Sequence, residues 1–154
     1  MIDVVDQKTR SRMMAGIGAS DTKPELTLRR KLHARGLRYR LHDRKLPGTP
    51  DLVFRRFGSV CLIHGCFWHR HPGCRYSTNP ATRQEFWQAK FRENVERDRR
   101  VRQSLLASGW RVAIVWECAL RGSLADKTAS ALYRWLHGKG REFQTTLDHP
   151  RPDE

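Results

Sequence analysis

Between His64 and Cys74 the chain reads His-Gly-Cys-Phe-Trp-His-Arg-His-Pro-Gly-Cys, two thiols, three imidazoles and two large aromatics in one short stretch. Cys66, His71 and Cys74 are soft ligands of the kind that bind zinc, and a closed structural site needs a fourth. Cys118, in Trp-Glu-Cys just past an apolar strand candidate, can close a knuckle emerging from the strand that ends at Ile63. Four protein ligands leave no position for water, so such a zinc is structural. The spacing is not that of a zinc finger, and the competing assignment is inert buried thiols with His71 at the surface.

Leu46-Pro-Gly-Thr-Pro-Asp51 sets a carboxylate at the start of an apolar strand, directly after a proline-rich turn. A carboxylate there can hold Mg²⁺, which prefers hard oxygen ligands and keeps waters able to attack a phosphodiester. It can equally serve as an Asx-turn residue, and its surroundings decide. Glu25, His64 and His69 are the groups able to converge on it. An imidazole titrates near neutral pH and can exchange protons with water and phosphate oxygens. Against this, His69 is also a spare zinc-ligand candidate, His64 a strand-end histidine held by backbone bonds, and Glu25 a helix-capping residue.

Phe67-Trp68 lies inside the ligand segment, and Trp87 in the opening turns of a helix. Flat rings on a metal-braced loop can insert between base pairs and unstack them, which is easiest at a mismatch. Core packing is the alternative for any aromatic. It suits Trp110, Trp116 and Trp135, which lie in or beside apolar runs, better than Phe67-Trp68, flanked by Cys and His.

These groups need elements to carry them. Thr22-Lys-Pro-Glu25 fits a capping box with Pro in the first turn, so a helix is expected from about Thr22 to Gly36. Strands are expected over Leu37 to Leu41, Asp51 to Phe54 and Ser59 to Ile63. A long helix follows from Ala81 to Ser108, with Phe86, Ala89, Val95, Leu105 and Leu106 as its apolar set, then a strand from Arg111 to Trp116 and a helix from Leu124 to His137. This order predicts an α/β fold with a mixed sheet covered on both faces.

The 154 residues suffice for one domain with a sizeable core. Residues 1–20, with Lys8, Arg10, Arg12 and Met13-Met14, are expected to form an arm of the kind that lies along DNA. Residues 21–143 form the single domain, and 144–154 a loose polar tail. Thirty Lys and Arg against sixteen Asp and Glu leave a formal charge of +14, which favours DNA or RNA as partner over a merely soluble basic protein. The N-terminus has no signal-peptide pattern and no run is long enough to span a membrane, so a cytoplasmic protein is expected. In that reducing compartment the four cysteines read as ligands or buried thiols, with Cys61 in the core.

With these residues in view, the chain resembles the very-short-patch repair endonucleases, the bacterial Vsr family of T:G mismatch nicking enzymes. The likeness runs through Thr9-Arg-Ser, Leu46-Pro-Gly-x-Pro-Asp51, His64-Gly-Cys-Phe-Trp-His69, Asn94-Val-Glu-Arg-Asp-Arg-Arg100, Gly109-Trp-Arg-Val and Val115-Trp-Glu-Cys-Ala-Leu-Arg-Gly122. It implies a restriction-endonuclease-like fold with a structural zinc knuckle. It also implies Mg²⁺-dependent nicking of double-stranded DNA 5′ to the T of T:G mismatches left by 5-methylcytosine deamination.

By motif, the resemblance makes Asp51 the Mg²⁺ ligand, His69 the proton-transfer residue, and His64 and Glu25 supporting catalytic groups. Cys66, His71, Cys74 and Cys118 match its zinc ligands, and Phe67, Trp68 and Trp87 its intercalating aromatics. Met14 lies in the segment that embraces the minor groove. The resemblance further implies action at the bacterial nucleoid, as a monomer, with handover to a MutL-type mismatch-repair protein and a repair polymerase. Ile63 replaces a threonine beside the metal, harmlessly if that position offers its backbone carbonyl to Mg²⁺. Pro72-Gly73 lengthens the knuckle, and the Glu-x-Lys half of the usual nuclease motif is missing. The alternatives are a Mg²⁺-dependent restriction-type endonuclease of other specificity and a non-catalytic zinc module that binds DNA.

Overall fold

The computed structural model describes residues 21–146; the proposed arm, with Met14, and the end of the tail lie outside them. Helix α1 spans Lys23–Ala34 and is capped by Thr22, whose Oγ1 accepts from the Glu25 amide at 3.5 Å. Only half of the expected capping box forms. The Glu25 side chain accepts instead from the Asp21 amide at 3.2 Å, which leaves its carboxylate turned to other partners.

Five strands follow: β1 Arg40–Leu41, β2 Leu52–Phe54, β3 Ser59–His64, β4 Arg111–Trp116 and β5 Glu142–Gln144. They lie in the order β1-β2-β3-β4-β5. The first two junctions are antiparallel and the last two parallel, so the sheet is mixed as expected. Helix α2, Gln84–Ala107, makes the crossover from β3 to β4, and α3, Leu124–His137, the one from β4 to β5. Parallel neighbours require such crossovers.

Alternation along the strands separates two cores. Leu52, Phe54, Cys61, Ala113 and Val115 pack on one face with Leu28 and Leu32 of α1 and Leu132 and Leu136 of α3. Val53, Val60, Leu62 and Val112 pack on the other with Leu105 of α2. This is the period-two pattern of a sheet covered on both sides.

Three differences from the sequence reading have physical causes. β1 is confined to Arg40–Leu41, both exposed, because an edge strand with one partner gains little from extending. β5 was not expected at all. Only Phe143 turns inward between exposed Glu142 and Gln144, too short a pattern to read, yet Gln144 pairs with Ile114 and Thr145 Oγ1 accepts from the Trp116 amide at 3.0 Å. The strand thus takes in Gln144, the first residue of the expected tail. On α2, Phe86 and Val95 are exposed. The inward stripe is Trp87, Phe91, Asn94, Asp98, Val101 and Leu105, spaced by three and four residues.

Candidate functional site

Asp51 stands immediately before β2, and antiparallel pairing brings it beside the end of β3, where its Oδ2 accepts from the Ile63 amide at 2.8 Å. His64 is the last residue of β3 and lies opposite Trp116 of β4. The turn before Asp51 is held against α2 at Gly48. With φ +72°, Gly48 suits a residue without a side chain, and a Cβ there would come within 2.3 Å of Val101 Cγ1. Thr49 and His42, on either side of the turn, are also left-handed, a form of local strain that collects at functional sites.

Asp51, Glu25, His64 and His69, the four groups singled out from sequence, line one open cleft of about 1060 Å³ together with Ile63, Phe67, Trp68 and Asp98. The ring centroids of His64 and His69 are 4.0 Å apart with planes 5° from parallel. Burial and the neighbouring His69 push His64 down to about 3, so its imidazole is neutral at physiological pH. Nδ1 of His69 lies 2.7 Å from Asp98 Oδ2. This pair fixes the orientation of the ring.

Glu25, almost fully buried, faces Nε2 of His42 at 3.0 Å from both carboxylate oxygens and accepts from Arg29 at 2.8 Å. Asp51 has less help. Burial raises it to about 7; the Ile63 amide opposes that rise and the adjacent Glu25 adds to it.

Four residues were missed from sequence. Asp98 had a legible signal: it is a charge within the inward stripe of α2, one turn from Asn94, whose side chain donates to the Trp68 carbonyl at 3.0 Å. Arg29 sits four residues from Glu25, a helical pair spacing. His42 and Arg70 lie in irregular backbone and gave none.

The proposed zinc ligands are all buried, with ligand atoms within 4.8 Å of one another. Nδ1 of His71 is 3.7 Å from Cys66 Sγ and 3.5 Å from Cys118 Sγ. A tetrahedral zinc with ordinary bond lengths sets such S···N separations at roughly 3.6 Å, so this donor set fits the ion. Burial raises Cys66 to about 11, raises Cys118 as well and lowers His71. The histidine is thus ready to coordinate as neutral imidazole, whereas the thiols must release protons to do so. His69 is outside this cluster, which removes it as a spare ligand.

Phe67, Trp68 and Trp87 come together as a half-buried cluster. Phe67 meets Trp68 at 5.0 Å, Trp87 at 5.6 Å and Phe91 at 5.3 Å between centroids, each near edge-on. Phe67 and Trp68 stand at the cleft wall, which departs from core packing, with Trp87 against both of them, while Trp116 is buried against His71 and His64, as its apolar setting suggested.

A mixed α/β sheet of this order, with carboxylates and imidazoles gathered where β2 begins and β3 ends, is a fold of the restriction-endonuclease-like kind. A family model described as DNA mismatch endonuclease Vsr matches residues 2–75. The chain is 47% identical over 147 residues to the DNA mismatch endonuclease Vsr of Escherichia coli, covering 94% of each. It is 44% identical over 120 residues to the type II nicking enzyme V.XorIIP of Xanthomonas oryzae, covering 78% of this chain and 88% of that one. With the type II nicking enzyme V.NaeI of Lentzea aerocolonigenes it shares 40% over 144 residues, 90% of this chain and 83% of that one. The chain belongs to the Vsr family of DNA mismatch endonucleases. Among the described residues no helix is long and apolar enough to cross a membrane.

Proposed function

We propose that this chain nicks one strand of duplex DNA 5′ to the thymine of a T:G mismatch, opening the repair of lesions left by 5-methylcytosine deamination. The observation that carries this reading is the meeting of Asp51, His64, His69 and Glu25 in one cleft walled by Phe67 and Trp68. A non-catalytic module gives these four groups no reason to converge. Membership in the mismatch-endonuclease family favours mismatch nicking over restriction of an intact site.

The donor set suits a hard cation. A buried carboxylate raised to about 7 beside a second carboxylate gains most from a nearby positive charge. In this reading Asp51 and the backbone carbonyl of Ile63 hold Mg²⁺, which when bound supplies an activated water and charge stabilisation at the phosphate. His69, with Nδ1 engaged by Asp98, has Nε2 for exchanging the proton of the attacking water or of the leaving oxygen. His64 stays neutral and braces His69 by stacking. Glu25, held by Arg29 and His42, fixes the polar wall beside Asp51.

Arg44 and Arg97 line the same cleft, and the strong positive charge of the chain draws the phosphate backbone toward it. Phe67, Trp68 and Trp87 enter the weakened base step, the zinc at Cys66, His71, Cys74 and Cys118 braces the loop of Phe67 and Trp68, and the arm with Met14 follows the minor groove. The enzyme acts as a monomer in the cytoplasm, at the nucleoid, and passes its nick to a MutL-type protein and a repair polymerase.

Duplexes that differ only by T:G or C:G at one position, incubated with Mg²⁺ or EDTA, test the reading. Mg²⁺-dependent cleavage of the T:G duplex alone is expected; equal cleavage of both points to a restriction-type nuclease, and none to a binding module.

A further inference from the structure

Arg70 lies between the zinc-ligand positions and the aromatic cluster. Its backbone is left-handed, φ 54°, a conformation that residues with a side chain seldom adopt unless surrounding contacts fix it. Those contacts come from the guanidinium. It donates to the carbonyls of Phe67 at 3.3 Å, Thr78 at 2.9 Å and Ser77 at 3.3 Å, and to Asn79 Oδ1 at 2.7 Å. Its Cζ sits 4.0 Å from the ring centroid of Phe91 and 5.7 Å from that of Phe67. One side chain thereby joins three separate pieces of chain: the aromatic loop, the segment 77–79 and helix α2.

Phe67 and Trp68 fall between two zinc-ligand positions, Cys66 and His71, so the metal anchors the ends of their loop and not its middle. A ring pushed into a base step either unstacks the bases or is pushed back itself. The outcome depends on how firmly the loop is held. Both terminal nitrogens of Arg70 are bonded to acceptors within the protein, which makes the residue a clamp rather than a cation waiting for a phosphate.

We propose that Arg70 is a positioning residue for mismatch recognition, its planar guanidinium locking the Phe67-Trp68 loop against Phe91 and the 77–79 segment so that the rings part a weakened base step. The proposal rests on the reading of Phe67, Trp68 and Trp87 as the inserting aromatics.

Arg70→Lys keeps the charge but can neither fork nor stack as a plane. The full-length protein is bound without added Mg²⁺, so that no cleavage occurs and the zinc is kept, to a T:G duplex carrying 2-aminopurine beside the mismatch; its fluorescence rises when the bases unstack. Wild type should give the rise. Arg70→Lys should lose most of it, and the preference for T:G over C:G binding should fall roughly tenfold, as expected when hydrogen bonds from a charged donor are lost. Zinc content and far-UV circular dichroism should stay at wild-type values. Phe91→Leu, which removes only the ring beneath the guanidinium, should show a smaller loss and decides the matter if Arg70→Lys releases zinc. A wild-type rise and preference in the folded variant overturns the proposal. The double variant Phe67→Ala with Trp68→Ala separates the two levels. If it retains the rise, the insertion reading falls and this proposal with it; if it loses the rise while Arg70→Lys keeps it, only the role of Arg70 falls.

Discussion

The imidazoles of His64 and His69 lie face to face at 4.0 Å, and of the two His69 has the carboxylate partner, Asp98 at 2.7 Å. Two stacked rings in a buried site cannot both be charged cheaply. His64 is pushed down to about 3 and stays neutral, while Asp98 orients His69 for proton transfer. Asp98→Asn and His69→Ala should therefore each lower the single-turnover nicking rate by about 10²- to 10⁴-fold while leaving mismatch affinity within a few-fold. Loss of binding in place of rate would move Asp98 out of the chemistry.

Asp51, the proposed Mg²⁺ ligand, also bears on stability. Its carboxyl is raised from an ordinary value of 3.8 to about 7, so the folded state favours the protonated form. The stabilisation is complete below the ordinary value and fades as pH rises through about 7. Without metal, wild type should lose melting temperature between pH 5 and pH 8 relative to Asp51→Asn, which has no charge to bury. At pH 8 Mg²⁺ should raise the wild-type melting temperature and leave the variant unmoved, since only a ligand bound to the native state stabilises it. Asp51→Asn should not nick. Parallel melting curves for the two proteins across this pH window would contradict the assignment.

Cys118→Ala removes the proposed ligand that would tie the start of the short helical turn after β4 to the knuckle following β3. Metal content by atomic absorption should fall from about one zinc per chain toward none, with a lower melting temperature, because the binding energy of a structural zinc is folding energy. Zinc uptake by the apo wild type should also release protons, since burial holds Cys66 up to about 11. Full occupancy in the variant would show that the fourth ligand lies elsewhere.

Gly48→Ala brings a methyl group into Val101 on α2 and puts a side chain at φ +72°. Overpacking of this kind costs about 1–3 kcal/mol. Denaturant unfolding should show that loss, and Val101→Ala in the same chain should recover part of it. Because the turn ends three residues later at Asp51, the single variant should also lose nicking rate beyond what its folded fraction explains.

What the sequence made legible is whatever obeys a local period or cap. Thr22 marked the start of α1, and unbroken apolar runs bounded by turn residues marked β3 and β4. The four zinc-ligand candidates could be collected because three lie in one segment and Cys118 stands just past the end of a strand. Convergence across the chain was harder. His42 meets Glu25 only because antiparallel pairing of two short strands folds the segment back, and no periodicity encodes that contact. β5 has a single inward apolar residue, Phe143, and owes its existence to the open edge of β4 rather than to propensity. Helix α2 misled through Phe86 and Val95, apolar residues on its solvent side, while Asn94 and Asp98 on its inner stripe serve the loop and the site.

The central claim is best tested with duplexes carrying a different dye on each strand and T:G or C:G at one position, set in several flanking contexts and followed in single turnover with Mg²⁺. A single break on the T strand, directly 5′ to the mismatched thymine, with the C:G duplex and the opposite strand intact and no product from Asp51→Ala, is the predicted result. Breaks in both strands, or equal cutting of matched DNA, would contradict it.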